Sequence, residues 1–503
     1  MAAPLAIRLH AADNVVVARM DILPGTEVEP GARSSQTIPA GHKMLTRAVK
    51  RGEPIRKYNQ IIGFATADLD VGTHVHTQNC AMADFERDYA FCADARPTDH
   101  VANPATFQGY RREDGRAATR NYIGIVTTVN CSAATSRMIA AKLAPVLEAY
   151  PNIDGVVPLT HGGGCGMAAS GLEMDVLRRT LAGYTRHPNM AAVVVLGLGC
   201  EANQISGLMQ AEGLKEGPKL IPMAIQEEGG VAKTVGRAVS FLKELLPEAN
   251  NVKREPIPAS ELILALQCGG SDGYSGISAN PALGAAVDLL VRNGGSAVLS
   301  ETPEIYGAEH LLTRRAVSRE VGEKIVERIK WWEDHCARTG GEMNNNPSPG
   351  NKAGGLTTIL EKSLGAVAKG GTTNLVEVYK YAEPITAKGF VYMDTPGYDP
   401  VAATGQVAGG ANVLCFTTGR GSVFGCKPTP SIKLATNSAL WRRMTDDMDI
   451  NCGTVVDGEE SIQQAGQRIF DLILRVASGE QTKSEAMGIG DDEFEPWKIG
   501  ATM

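Results

Sequence analysis

Two kinds of residue in this chain carry chemistry by type and spacing. His74 and His76 stand two apart in Thr73-His-Val-His-Thr77, with Asn79 following. In a strand, residues two apart share a face, so the two imidazoles can supply half of a divalent metal site. An exposed surface pair is the alternative reading. The second set is four cysteines, each at or just past the end of an expected strand. Cys131 follows Ile123 to Val129, and Cys165 follows Asp154 to Thr160 through His161-Gly-Gly-Gly164. Cys200 follows Ala191 to Leu198, and Cys268 follows Leu262 to Leu266. Glycine lies directly beside Cys165, Cys200 and Cys268, which permits close backbone approach. Ligands of open α/β sheets bind beyond the carboxyl ends of the strands, so these four thiols are expected to converge on one edge. Soft thiolates suit iron, including an iron–sulfur cluster with one iron left open as a Lewis acid. Small buried hydrophobes are the competing fate of such cysteines. No Cys-x-x-Cys pair is present, which excludes a zinc ribbon and a thioredoxin motif.

Polar loops follow other strands. Glu201 adjoins Cys200, Asp272 ends Cys268-Gly-Gly-Ser-Asp272, and Glu301 and Glu304 follow Ser296 to Ser300. Asn351 and Lys352 close Pro347-Ser-Pro-Gly-Asn-Lys352, and Arg420 sits in Thr417-Thr-Gly-Arg-Gly421. Lys352 and Arg420 are natural partners for a substrate carboxylate, arginine bidentately. No phosphate-cradling glycine loop of the Walker type and no strand-linked G-x-G-x-x-G occurs.

The elements that must position these residues divide the chain in three. Residues 1–92 read as a module of short strands, Val15 to Ala18 and Ile61 to Ala65 among them, with one helix near 43–50. Residues 93–108, with Pro97, Asn103 and Pro104, read as a linker. Over 109–252 strands alternate with amphipathic helices (Ala133 to Glu148 and about 170–183), and Ala191 to Leu198 is a continuous apolar run. That alternation predicts a parallel sheet covered on both faces. The pattern restarts over 253–503, with strands at Leu262 to Leu266, Ser296 to Ser300, Gly389 to Met393 and Asn412 to Thr417, helices at Pro281 to Arg292 and about 318–337, and a loop over Met343 to Lys352. The predicted class is α/β, a small β-rich N-terminal domain followed by two α/β domains with mainly parallel sheets.

Bulk properties exclude other classes. The chain has 503 residues, 43% hydrophobic and 21% charged, with a formal net charge of -7, so nothing marks it as a nucleic-acid binder. Its apolar runs fall short of a membrane span. The N-terminus lacks a signal-peptide pattern, so a cytoplasmic protein with its ten cysteines reduced is expected. A homo-oligomer, a dimer, is the expected assembly.

Several stretches together resemble the altronate and galactarate dehydratases. These are Gly41-His-Lys43, Gly72-Thr-His-Val-His76, Gly109-Tyr-Arg-Arg-Glu-Asp-Gly115 with Arg120-Asn121, Gly197-Leu-Gly-Cys-Glu201, Cys268-Gly-Gly-Ser-Asp272, Asn346-Pro-Ser-Pro-Gly-Asn-Lys352 and Thr418-Gly-Arg-Gly421. The resemblance implies a SAF (antifreeze-like) fold for the N-terminal module. His74-Val-His76 and Pro303-Glu-Ile-Tyr-Gly-Ala308 fit the altronate type, while Met448-Asp-Ile-Asn451 with Gly458-Glu-Glu460 leans to the galactarate type. Relatives carry a tyrosine two residues before the cysteine matching Cys165, where this chain has Gly163. The implied reaction is loss of water from a 2,3-dihydroxy sugar acid, giving a 2-keto-3-deoxy acid. It needs a base for the C2 proton, an acid for the C3 hydroxyl and a Lewis acid for the enediolate. Candidates for base or acid are His161, Glu201, Asp272 and Glu301; for substrate, Lys352, Asn351 and Arg420; for metal, His74 and His76, or Cys131, Cys165, Cys200 and Cys268. Ferrous iron is the implied cofactor, with manganese or an iron–sulfur cluster as alternatives. Two rival readings are a carbon–sulfur lyase acting on sulfolactate, since such SAF-containing lyases keep a similar histidine pair, and a sugar-acid binding protein without catalysis.

Overall fold

The structure, a computed structural model, describes residues 4–83 and 85–500. The N-terminal module is built of short antiparallel strands. Ala6–Ile7, Val15–Ala18, Lys43–Leu45 and His74–Val75 form one sheet in that order, and Pro54–Lys57, Gln60–Ala65 and Cys80–Ala81 form another. The helix expected near 43–50 is absent, and the segment opens with the strand Lys43–Leu45. Its three residues are all buried. One side packs on the module's own core and the other is pressed against the C-terminal segment, so the burial pattern follows tertiary packing and not a helical stripe.

Two parallel sheets follow. The first has four strands in the order Gly155–Leu159, Tyr122–Thr127, Met190–Gly197, Leu220–Ala224. All eight residues of Met190–Gly197 are buried, because helices cover both faces. The alternation shows in the cores: Tyr122, Val126, Val193 and Val195 join the main core, while Ile123, Ile125, Val194 and Leu196 join a second one. The second sheet has seven strands in the order Leu375–Tyr379, Gly389–Met393, Ser296–Leu299, Ile263–Cys268, Val413–Thr418, Ser431–Ala435, Ile450–Asn451. The first strand of this sheet in the chain, Ile263–Cys268, lies beside Val413–Thr418, and strand order reverses there. That is the position at which open α/β sheets bind ligands. Within the segment expected to be an unbroken loop, Pro349–Ala353 is a short helix, started by a capping box between Ser348 and Asn351.

The three segments share one contiguous core, which runs from Val15 to Trp497. A buried ion triad locks the N-terminal module onto the last segment. Lys43 Nζ lies 2.8 Å and Lys57 Nζ 3.0 Å from the two carboxylate oxygens of Glu361, all three side chains 0–1% exposed. Burial alone would raise the Glu361 pKa, but the two ammonium groups outweigh it and hold it at about 2. Among the described residues no helix is long and apolar enough to cross a membrane.

Candidate functional site

The C-terminal edge of the seven-stranded sheet collects buried charge. Cys268 ends its strand, Glu301 and Glu304 follow the neighbouring strand, and Asp399 starts the helix Asp399–Ala408. Lys362 and Lys369 approach from Ile359–Val367 and the turn after it. Lys369 Nζ stands 2.9 Å from Cys268 Sγ and 2.8 Å from Glu301 Oε2. Lys362 Nζ stands 2.6 Å from Glu304 Oε1 and 2.9 Å from Asn346 Oδ1. Burial, with the nearby Glu304 charge adding to it, pushes Asp399 up to about 7. Burial likewise takes Glu301 to about 8 against the pull of Lys369, and the Cys268 thiol to about 12. Burial opposes charge on Lys362, but Glu304 outweighs it and keeps the amine protonated above its usual range. Glu301 adopts a left-handed φ of 70° and its Oε1 is buried without a hydrogen bond. Backbone strain at a non-glycine residue costs of order 1–3 kcal/mol and collects at working sites.

A cavity of about 270 Å³ opens onto this edge, lined by Cys268, Glu304, Asn346, Asn351, Lys362 and Asp399 among others. Gly269 is required here, since a Cβ would stand 2.3 Å from Asp399 Oδ2. Cys268, Glu301 and Glu304 are, among the described residues, the one set of three His, Cys, Asp or Glu donors with ligand atoms within 4.8 Å of one another. Two ammonium groups already neutralise that set, so its donor chemistry fits a salt-bridge network and not a divalent ion.

Asp272 lies deeper. Its carboxylate accepts from Thr436 Oγ1 (3.0 and 3.1 Å), Ser275 Oγ (3.1 Å), the Tyr274 amide (3.1 Å) and Asn437 Nδ2 (3.0 Å). So many neutral donors leave it no free lone pair for a substrate proton, and it ties three loops together. Asn351 is likewise engaged, donating to Ser271 O at 2.9 Å and accepting from Ser348. Arg420 is exposed and lines a separate cavity of about 320 Å³ with Arg19, Arg442 and Arg443. The Lys352 carbonyl accepts from His76 at 2.9 Å. His74 and His76 are joined by His42, whose Nδ1 is 3.0 Å from His74 Nε2, with ring centroids 4.9–5.5 Å apart across the trio. Burial and mutual repulsion bring His42 and His74 down to about 4, so both rings are neutral at pH 7, the state in which imidazole ligates metals.

The edge of the four-stranded sheet is different. Cys131, Cys165 and Cys200 are exposed, whereas Cys268 is buried on the other sheet. The expectation that four thiols converge on one edge is thus corrected to three, because Ile263–Cys268 belongs to the seven-stranded sheet. The three loops are stitched together. The Asn203 amide donates to Gly164 O (3.0 Å), Asn203 Nδ2 to Thr128 O (3.2 Å), and the Asn130 amide to Gly163 O (3.2 Å). His161 Nε2 donates to Thr127 O at 2.9 Å and its Nδ1 accepts from the Gly163 amide at 3.1 Å. Burial brings it down to about 4, so it clamps its loop as a neutral ring with both nitrogens engaged. Glu201 accepts from Thr128 Oγ1 (2.7 Å) and the Gly199 amide (2.6 Å), fixing the Cys200 loop.

The two sheets are joined through a helix pair. Helices Leu172–Thr185 and Asp399–Ala408 pack on each other: Gly183 abuts Ala408, and Tyr381 links them, accepting from Arg179 at its carbonyl and donating its hydroxyl to Val401 O. Each helix starts at the C-terminal edge of its sheet. Sequence reasoning missed Asp399, Lys362, Lys369 and His42. Only His42 carried a signal, in the quoted Gly41-His-Lys43.

Comparison with known proteins bears on this architecture. Residues 4–83 match the altronate/galactarate dehydratase SAF domain, 109–250 the second domain of D-galactarate dehydratase/altronate hydrolase, and 259–502 the C-terminal domain of D-galactarate/altronate dehydratase. The chain is similar to altronate dehydratase of Bacillus subtilis (strain 168), 35% identical over 502 residues and 99% of both chains. It is also similar to galactarate dehydratase (L-threo-forming) of Escherichia coli (strain K12), 36% identical over 495 residues, 96% of this chain and 95% of that one. A more partial likeness is to the (2R)-sulfolactate sulfo-lyase subunit beta of Chromohalobacter salexigens, 33% identical over 388 residues, 76% of this chain and 95% of that one. The class so defined is a hydro-lyase on a SAF-headed double α/β scaffold. The chain belongs to the altronate/galactarate dehydratase family.

Proposed function

We propose that this protein dehydrates a sugar acid, an altronate-type aldonate or galactarate, to the 2-keto-3-deoxy acid. The observation that carries the assignment of roles is the cavity in which Asp399, its carboxyl pushed to about 7 by burial, faces the Lys362 ammonium. A carboxylate poised near neutrality suits abstraction of the C2 proton. Lys362 lies where an ammonium can protonate the departing C3 hydroxyl, which leaves as water, and the resulting enol becomes the 2-keto acid. Glu304 and Asn346 orient Lys362, and Lys369 with Glu301 forms the buried layer behind it. The Cys268 thiol stands between these two pairs.

The C2 proton is only weakly acidic, so an iron ion is proposed as Lewis acid, with manganese as the alternative; when bound, it would polarise carboxylate and 2-hydroxyl. The donors proposed for such an ion are the imidazoles of His42, His74 and His76, whose pKa values burial lowers. A cytoplasmic homodimer is the proposed setting.

The test is a panel of aldonates and aldarates, with ferrous iron and reductant, scored for 2-keto acid. Conversion of one of them supports the reading. Sulfite release from sulfolactate with no conversion of any sugar acid would instead support the carbon–sulfur lyase, and tight sugar-acid binding without product would support a non-catalytic binder.

A further inference from the structure

We propose that Cys131, Cys165 and Cys200 together hold an iron–sulfur cluster on three protein thiolates, leaving one iron without a protein ligand. The proposal rests on the dehydratase reading only for what the open iron would do, and not for the site itself.

Of the ten cysteines, these three are the exposed ones; six others are buried and Cys92 is intermediate. The three come from three adjacent parallel strands, Tyr122–Thr127, Gly155–Leu159 and Met190–Gly197, each within a few residues of its C-terminal end. Chance exposure would not gather them on one sheet edge. Their loops are also held at fixed mutual positions by the hydrogen bonds of Asn203 to Gly164 O and Thr128 O and of the Asn130 amide to Gly163 O, and by close packing at their glycines. A Cβ on Gly164 would stand 2.1 Å from Thr128 O, one on Gly197 2.4 Å from Glu201 Oε1, and one on Gly199 2.7 Å from Gln226 Oε1. Gly164 and Gly166 both have positive φ, at 93° and 68°, so the Cys165 turn is open to few residues other than glycine on either side. The rigidity of three glycine-packed loops is more than three solvent-exposed thiols need if they bind nothing.

The spacing selects the kind of group. A single tetrahedral ion with metal–sulfur bonds of about 2.3 Å would need sulfurs about 3.8 Å apart. Among the described residues, these three thiols do not form a set with all sulfurs within 4.8 Å of one another. A cubane cluster is broader than a single ion and reaches ligands further apart. Its negative charge is met at the Cys131 end, where Asn130–Ser132 leads into the N-terminus of the helix Ala133–Leu147. Gln226 Nε2 stands 3.5 Å from Cys200 Sγ, a donor suited to a cluster sulfur ligand. Access to an open iron exists as well. A cavity of about 260 Å³ borders Cys165, lined also by His161, Gly163, Glu173, Trp497 and Lys498. Gly163, with no side chain, leaves the cavity its room.

The test is full-length protein purified without oxygen and reconstituted with ferrous iron and sulfide. The expected result is about four irons and about four acid-labile sulfides per chain, with broad visible absorbance and a paramagnetic signal after one-electron reduction. Cys131→Ser, Cys165→Ser and Cys200→Ser should each lose most of the iron, sulfide and colour while keeping the wild-type melting profile. Cys92→Ser and Cys268→Ser should keep all three signals. One iron per chain without labile sulfide, or a cluster indifferent to the three substitutions, would overturn the proposal. In either case 2-keto acid formation from a sugar acid, measured on the same sample with ferrous iron, would leave the dehydratase reading standing. A full cluster with no product from any sugar acid would do the reverse.

Discussion

The C-terminal edges of the two parallel sheets make opposite uses of the same topology. The four-stranded sheet ends in exposed soft donors, Cys131, Cys165 and Cys200, on glycine loops, with the neutral Gln226 amide beside Cys200. The seven-stranded sheet ends in buried hard charge, with Glu301, Glu304, Asp399, Lys362 and Lys369 around one thiol. An exposed edge can take up an inorganic group from solution. A buried one can tune proton affinities, because desolvation acts there at full strength. The comparison can be broken at either edge.

The largest expected effect is on chemistry at the buried edge. Asp399→Asn should reduce kcat by about 10²–10⁴-fold, the usual worth of a positioned base. Its stability should move the other way. The fold raises the Asp399 pKa, so the folded state binds the proton more tightly than the unfolded chain. That contribution is fully present below the ordinary carboxylate pKa and lost as pH rises through about 7. The amide variant escapes the loss and should melt higher than wild type at pH 8. Near wild-type turnover in this variant would remove the base from the seven-stranded edge.

Next in size is the lock between the N-terminal module and the seven-stranded segment. Glu361→Gln leaves Lys43 and Lys57 without a counter-charge in a dry interface. Breaking one partner of a buried ion group costs about 3–5 kcal/mol. A fall in denaturation midpoint of that size, with the histidine trio becoming accessible to alkylation, is expected. An unchanged midpoint would show that the module is held by its apolar contacts alone.

A smaller and graded effect is the pH profile. If Asp399 must be ionised, kcat/KM should fall below about pH 7, approaching tenfold per unit, and level off above it. A profile flat from pH 5 to 8 would point to a base outside this cavity.

How much of this was legible in the sequence differs between the edges. The cysteine edge was readable because each thiol follows its strand by a few residues, and a run such as Met190–Gly197 announces itself by continuous apolarity. The buried edge was not. Glu301 and Cys268 were visible as strand-end residues, but their partners Lys362, Lys369 and Asp399 lie about 60 to 130 positions further along the chain. Nothing local marks a lysine as buried, and Lys369 in Val367-Ala-Lys-Gly-Gly371 reads as a solvated turn. The helix expected at 43–50 fails at the same kind of residue, since Lys43 is fully buried in a strand by its pairing with Glu361 from another segment. Sequence periodicity reports which face of an element is apolar, and it does not report burial imposed by an ion partner from another segment. Sheet membership of Cys268 was legible in the boundary at 252–253, which puts Leu262 to Leu266 in the last segment and not with the other three thiols.

The smallest effect concerns Glu201, and it separates positioning from chemistry at the exposed edge. Its two oxygens accept from Thr128 Oγ1 and the Gly199 amide, so the side chain joins the Cys131 loop to the Cys200 loop. In Glu201→Gln the amide oxygen can still accept from Gly199. The new NH₂ can donate to the Thr128 hydroxyl oxygen, which is free to turn its proton elsewhere. Only the charge assistance is lost, so the melting free energy should change by about 0.5–1.5 kcal/mol and bound iron should stay near the wild-type level. Glu201→Ala leaves a buried amide and hydroxyl unsatisfied, at about 1–3 kcal/mol, and frees the Cys200 loop. Iron content should then drop although no ligand has been removed. Were Glu201 instead an acid or base in the reaction, the glutamine variant would lose turnover with its iron intact, and the division of labour between the two edges would have to be redrawn.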